Sequence, residues 1–273
     1  MIRIISLSLL TLCTLSCAGN HGRQALTSDP DSVPFASSEK NLSGTPLTLS
    51  GRLLKPSGDG PFPAVVLLHG CGGVQPSRDH RWAKRLVSWG YVTLQVDSFG
   101  PRDIGSVCTL YGRDVSDMLA RRMVDAYDAR QFLSGLPYVD PKRIAVMGWS
   151  NGGSTTLNVL QAKERTPFRA AVAMYPSCRE SLAGLNAPLL ILIGDRDDWT
   201  PAERCTAMMP PEKPALEVDL QIFPGAYHAY DSIGKPRQVS GSRGSSHHLK
   251  HNPAAENASI DLVKEFLGKH LQH

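Results

Sequence analysis

Short unbroken apolar runs alternate with helix-patterned segments from residue 64 onward, and this alternation limits the fold more than any other feature of the chain. Ala64-Val65-Val66-Leu67-Leu68, Tyr91 to Val96 and Arg143 to Met147 concentrate apolar and β-branched residues, as strands buried on both faces do. Ala170 to Tyr175, Leu189 to Ile193 and Leu216 to Phe223 read as three more strands. Asp79 to Trp89 sets Trp82, Leu86 and Trp89 at helical spacing and closes on Gly90. Ser116 to Ser134, Gly152 to Lys163 and Glu256 to His270 read as further helices. Parallel strands need a crossover, and a helix supplies it. The expectation is an α/β protein with a mostly parallel central sheet and helices on both faces. Such sheets bind ligands at the carboxyl ends of their strands, so chemistry should follow strands rather than precede them.

The pattern divides the chain into three parts. Residues 1–19 carry a positive start at Met1-Ile2-Arg3, an apolar stretch from Ile4 to Leu15 and small residues at Ser16-Cys17-Ala18-Gly19. This is the layout of a secretory signal, too short to span a bilayer comfortably. Ser16-Cys17-Ala18 fits a cleavage site, and Thr14-Leu15-Ser16-Cys17 resembles a lipobox in which Cys17 becomes lipidated. The expected location is therefore outside the bacterial cytoplasm, either periplasmic, secreted or lipid-anchored at Cys17, with no other membrane contact. Residues 20–45 are rich in Ser, Asp, Pro and Gly without periodicity, which predicts a flexible linker. The catalytic domain is expected over 46–273, opening on a strand that carries Leu47, Leu49 and Leu53.

Charge and cysteine usage narrow the function. A net charge of +4 without long basic runs, and only 7% aromatic residues, argue against nucleic-acid binding. Removal of Cys13 with the signal, and removal or lipidation of Cys17, leaves Cys71, Cys108, Cys178 and Cys205. An even number suits disulfides in an oxidising compartment; their spacing matches no zinc pattern.

Gly148-Trp149-Ser150-Asn151-Gly152-Gly153 follows the strand Arg143 to Met147 and opens a helix. It reads as a nucleophile elbow or as an ordinary glycine-rich turn. A serine needs a base, and the base needs an orienting acid. Both have candidates downstream, each just past a predicted strand. Gly194-Asp195-Arg196-Asp197-Asp198 offers three aspartates, and Pro224-Gly225-Ala226-Tyr227-His228 offers the histidine. His247, His248 and His251 lie in a polar stretch and read as solvated rather than as a metal site. The loop His69-Gly70-Cys71-Gly72-Gly73 can supply an oxyanion donor from the Cys71 backbone N–H, with Asn151 N–H as the second.

The segments "VVLLHGCGG", "VDSFGPR", "RIAVMGWSNGG", "LLILIGDRDDWTPAERC" and "FPGAYHAYD" resemble the dienelactone hydrolase branch of the α/β-hydrolases, from about Pro46 to the C-terminus. The resemblance implies an α/β-hydrolase fold, no metal or organic cofactor, and Asp197 as the acid, with Asp198 as runner-up. Namesake enzymes use a cysteine nucleophile where this chain has Ser150, so it is similar to serine-bearing exported relatives. They also carry an arginine after the histidine to hold a substrate carboxylate, whereas this chain has Ala229-Tyr230-Asp231-Ser232. Arg102 is expected to serve a structural salt bridge rather than an anionic substrate. Cys71 and Cys108 lie in loops after two successive strands; Cys178 follows the strand ending at Tyr175, and Cys205 lies just beyond the acid loop. The favoured pairings are accordingly Cys71–Cys108 and Cys178–Cys205. The expected function is hydrolysis of ester or lactone bonds in small substrates through Ser150, His228, Asp197 and an acyl-enzyme. A peptidase or amidase, or a non-catalytic envelope binding protein of the same fold, are the rival readings.

Overall fold

The computed structural model describes residues 30–40, 44–179, 181–209 and 215–272. The expected signal, Cys17 and residues 20–29 of the expected linker lie outside the described residues. The sheet has eight strands in the order β1-β2-β4-β3-β5-β6-β7-β8. They are β1 (Ser32–Lys40), β2 (Pro46–Leu54), β3 (Phe62–Leu68), β4 (Val92–Asp97), β5 (Val139–Trp149), β6 (Ala171–Met174), β7 (Leu189–Gly194) and β8 (Val218–Phe223). β2 runs antiparallel to β1 and β4, and every pairing from β4 to β8 is parallel.

The middle of this sheet is dry. Every residue of β4, β6 and β7 is buried, as is β3 from Pro63 onward. Such burial needs cover on both faces, and two pairs of helices give it. Helix α2 (Arg113–Ser134) packs with α3 (Asn151–Val159), while Arg81 of α1 (Pro76–Ser88) ion-pairs with Glu256 of α5 (Pro253–Leu271). A short helix, α4 (Ala202–Met208), follows β7.

One expectation needs correction. Residues 20–45 are not wholly a flexible linker, because Ser32 to Lys40 form the edge strand β1. Phe35 is buried and its ring centroid lies 5.5 Å from that of Phe132 on α2. Ser37 and Ser38 hydroxyls donate to Asp128 at 3.0 and 2.9 Å, and Glu39 pairs with Arg102 at 2.5 Å. The period-two signal is short, and Pro34 interrupts it at an edge position where a missing N–H costs nothing. Arg102 itself is structural, as expected: it also forks onto Asp125 at 2.7 and 2.9 Å.

After His228 the chain forms a small antiparallel hairpin of β9 (Arg237–Ser240) and β10 (Ser246–Leu249). It is joined to the histidine loop through a bridge between His228 and Leu249.

Candidate functional site

β5 ends in a turn that only glycines permit. A Cβ on Gly148 would sit 2.2 Å from the Gly152 carbonyl oxygen, and one on Gly152 would sit 2.0 Å from that of Leu68. The backbone therefore packs directly against the end of β3, and α3 begins at the carboxyl edge of the sheet. Ser150 occupies the turn with φ 53° and ψ −114°, a conformation that side chains rarely adopt. Held this way, the hydroxyl stands at the base of two clefts.

His228 reaches that hydroxyl from the loop after β8. Its Nε2 lies 2.9 Å from Ser150 Oγ, and its Nδ1 lies 2.7 Å from Asp197 Oδ2, in the turn after β7. An Nδ1–H donated to Asp197 leaves the Nε2 lone pair facing the serine. His228 and Asp197 are both buried. Asp198, the alternative aspartate, turns the other way and binds the exposed His248 ring at 2.7 Å.

The sequence reading missed Thr200. Its hydroxyl lies 2.9 Å from Asp197 Oδ2 and 3.2 Å from His228 Nδ1, and its N–H donates to Asp197 Oδ1 at 2.8 Å. Trp199 N–H donates to the same oxygen at 3.0 Å. Burial alone would raise the Asp197 carboxyl, but the His228 and Thr200 contacts outweigh it and hold the group below its ordinary value. The available signal was the Asp-x-x-Thr spacing, in which a carboxylate folds back onto the backbone N–H groups that follow it.

On the other side of Ser150, the turn from His69 to Gly73 leaves β3. His69 is buried, with Nδ1 at 2.7 Å from Gly70 O and Nε2 accepting from Ser98 N–H at 3.2 Å. Burial, reinforced by the Arg122 and Arg78 charges, pushes the His69 pKa well down, so the ring is neutral and carries its proton on Nδ1. Among the described residues, no acceptor takes the backbone N–H of Cys71 or of Asn151. Arg122 of α2, also missed, is wholly buried behind this turn. Its Nη2 donates to His69 O at 2.6 Å and its Nη1 donates to Asn151 Oδ1. Burial presses the Arg122 guanidinium down to about 10, with Asp125 opposing.

Two clefts meet at Ser150. One of about 360 Å³ is bordered by Cys71, Tyr111, Asn151, Ser177 and His247. The other, of about 200 Å³, is bordered by Gly70, Arg78, His228, Ile233 and Leu249. Trp199 touches both. Its ring lies parallel to His247 at 4.7 Å. That contact corrects the expectation that the late histidines are merely solvated: His247 is largely covered, and His251 binds Glu256 at 2.6 Å. Only His248 is open, and the reason is the hairpin, which folds this polar stretch back over the site.

Both expected disulfides are formed, Cys71–Cys108 and Cys178–Cys205, with Cα–Cα distances of 4.8 and 4.9 Å. The first ties the His69–Gly73 turn to the loop after β4, and Val107 N–H adds a bond to Cys71 O at 2.8 Å. The second ties the loop after β6 to α4, beside the acid turn.

The model of the dienelactone hydrolase family matches residues 49–271. The uncharacterized peptidase YuxL of Bacillus subtilis is 24% identical over 79% of this chain, which spans only 38% of that protein's length. Cutinase 1 of Thermobifida cellulosilytica is 28% identical over 63% of each. Among solved structures, one described as a putative dienelactone hydrolase from Klebsiella pneumoniae superposes with a TM-score of 0.66, covering 87% of this chain and 98% of that one at 18% identity. Esterase 2 of Thermogutta terrifontis, phosphorylated by paraoxon, superposes at 0.60 over 88% and 94% at 19% identity. At these identities the structural likeness speaks for the fold, an α/β-hydrolase.

Proposed function

The chain belongs to the dienelactone hydrolase family, and from that premise we propose that it is a serine hydrolase cleaving ester or lactone bonds of small substrates. The observation that carries the proposal is the unbroken hydrogen-bonded line from Asp197 through His228 to Ser150 Oγ. In the proposed reaction, His228 Nε2 takes the Ser150 proton as Oγ attacks the carbonyl carbon, and the carbonyl π pair moves onto oxygen. Cys71 N–H and Asn151 N–H receive that oxyanion, while Asp197 stabilises the imidazolium. Collapse expels the alcohol or ring oxygen, which takes the proton from His228 and leaves an acyl-serine. A water then loses a proton to His228, attacks the acyl carbon and releases Ser150 Oγ, which recovers the proton. The two clefts on either side of Ser150 are small enough to favour compact acyl and leaving groups.

The same proposal puts the protein in an oxidising compartment outside the cytoplasm, either released by signal cleavage or lipid-anchored at Cys17. The two disulfides support the compartment. The test is hydrolysis of p-nitrophenyl acetate and butyrate, with a fluorophosphonate probe mapped to its modified residue. We expect turnover and labelling at Ser150, and a loss on the order of 10⁴-fold or more in Ser150→Ala. A Ser150→Ala variant with wild-type turnover would rule the proposal out. Faster cleavage of peptide anilides than of esters would turn it towards a peptidase, as the likeness to YuxL allows.

A further inference from the structure

Arg122 is an unusual residue to find where it is. Its guanidinium is fully buried, yet among the described residues no carboxylate lies within ion-pair distance, and its hydrogen bonds go to two neutral oxygens. Its Nε has no partner, and Asp125, one turn along α2, is engaged with Arg102. A buried cation with neutral acceptors costs stability that an apolar side chain of the same size would not. What distinguishes the position is which two oxygens it holds. His69 O belongs to the turn that carries Cys71, and Asn151 Oδ1 belongs to the residue after Ser150.

We propose that Arg122 is a positioning residue that holds the two oxyanion donors, Cys71 N–H and Asn151 N–H, in register with each other and with Ser150. The proposal rests on the serine-hydrolase reading above and adds to it how the donor pair is kept in place. The linkage passes through His69. Arg122 Nη2 fixes the His69 carbonyl, and the ring of Phe99, 5.2 Å below the guanidinium and 4.5 Å from the imidazole, packs both. The His69 ring, anchored by Ser98 N–H, donates from Nδ1 to Gly70 O. In a trans peptide the C=O and the next N–H point in opposite directions. Holding Gly70 O against the imidazole therefore aims Cys71 N–H away from the ring. That peptide stands beside the nucleophile, since a Cβ on Gly70 would lie 3.7 Å from Ser150 Cβ. The other arm of Arg122 fixes the Asn151 side chain at the first turn of α3. One planar fork thus spans the gap between two donors that stand 80 positions apart in the chain (71 and 151).

Such a residue acts on the transition state and not on substrate binding. In Arg122→Met, kcat for p-nitrophenyl acetate should fall about 10- to 100-fold with KM changed by less than about threefold. Affinity for phenylboronic acid, whose Ser150 adduct mimics the tetrahedral intermediate, should weaken in parallel. Arg122→Lys keeps the charge but not the fork and should fall between Met and wild type. Asn151→Ala leaves Arg122 and both backbone donors in place and should lower kcat several-fold, less than Arg122→Met does. If Arg122→Met fails to fold, the Lys and Asn151→Ala variants carry the test. Folded variants that keep kcat within about twofold of wild type, or that change KM alone, overturn the inference. A wild type without Ser150-dependent turnover sinks instead the reading beneath it, and this inference with it.

Discussion

The two flanks of Ser150 are built from similar parts and finished differently. Each is a turn leaving a buried parallel strand, and each is stapled by a disulfide. On the acid flank the carboxylate is saturated: Asp197 accepts from Trp199 N–H, Thr200 N–H, the Thr200 hydroxyl and His228. On the other flank, the N–H groups of Cys71 and Asn151, residues that border the larger cleft, have no protein acceptor among the described residues. The cation behind them, Arg122, holds neutral oxygens only. The difference follows from when each charge exists. Asp197 is a permanent anion that must be satisfied in the resting protein, whereas in the proposed reaction the oxyanion appears only transiently. A flank that is saturated at rest has nothing left to offer a transition state.

The largest expected effect tests the saturated flank. Asp197→Asn should lower kcat by on the order of 10³- to 10⁴-fold by turning the His228 tautomer around. Asp198→Asn should leave kcat within about twofold, because that carboxylate binds His248 instead. Equal losses in the two variants, measured by steady-state kinetics, would break the assignment of the acid.

The disulfides separate the flanks at the next level. They close sequence separations of 37 and 27 residues, so removing either pair with Ser should cost a similar stability, about 2–4 kcal/mol. Only the Cys71→Ser, Cys108→Ser double variant should also lose kcat, by about tenfold, since only that bridge borders a proposed oxyanion donor. Denaturant titration beside kinetics reads both quantities. A kcat loss of the same size from the Cys178–Cys205 pair would remove the distinction between the sides.

The smallest effect sharpens the acid flank. Thr200→Val removes a hydroxyl donor from Asp197 and should lower kcat by about three- to tenfold. The carboxyl of Asp197 is held below its ordinary value in the fold. Its contribution to stability is therefore complete above the unfolded carboxylate range, near about 3.9, and is lost as pH falls through the lower folded value. Losing the Thr200 hydroxyl raises that folded value and narrows the window. Acid titration of folded structure should show less stability gained between these two pH values in Thr200→Val than in wild type.

Much of this site could be read from the order of residues. Ser150, the aspartate turn and His228 each follow a continuous apolar run, and in a parallel sheet that position is the ligand edge. The disulfide partners were legible for the same reason, as loops on one rim. Thr200 and Arg122 were not. Thr200 matters through a hydroxyl that reaches both Asp197 and His228, and a threonine in a turn carries no mark of it. Arg122 sits in a helix dense with charge, where Arg113, Arg121, Arg122 and Arg130 look alike until burial separates them. Strand β1 was hidden because its alternation is brief and its fixing contacts, to Phe132 and Asp128, lie 90 or more residues away.

The sequence alone determined the alternating architecture, the glycine elbow and the order serine, aspartate, histidine. These are local matters of periodicity, backbone freedom and strand ends, written within a few residues. Only the tertiary structure decided which aspartate meets the imidazole, which arginine is buried and what covers the clefts. Each of those depends on the direction of a side chain across distant segments, and direction is set by packing, which no short stretch of sequence contains.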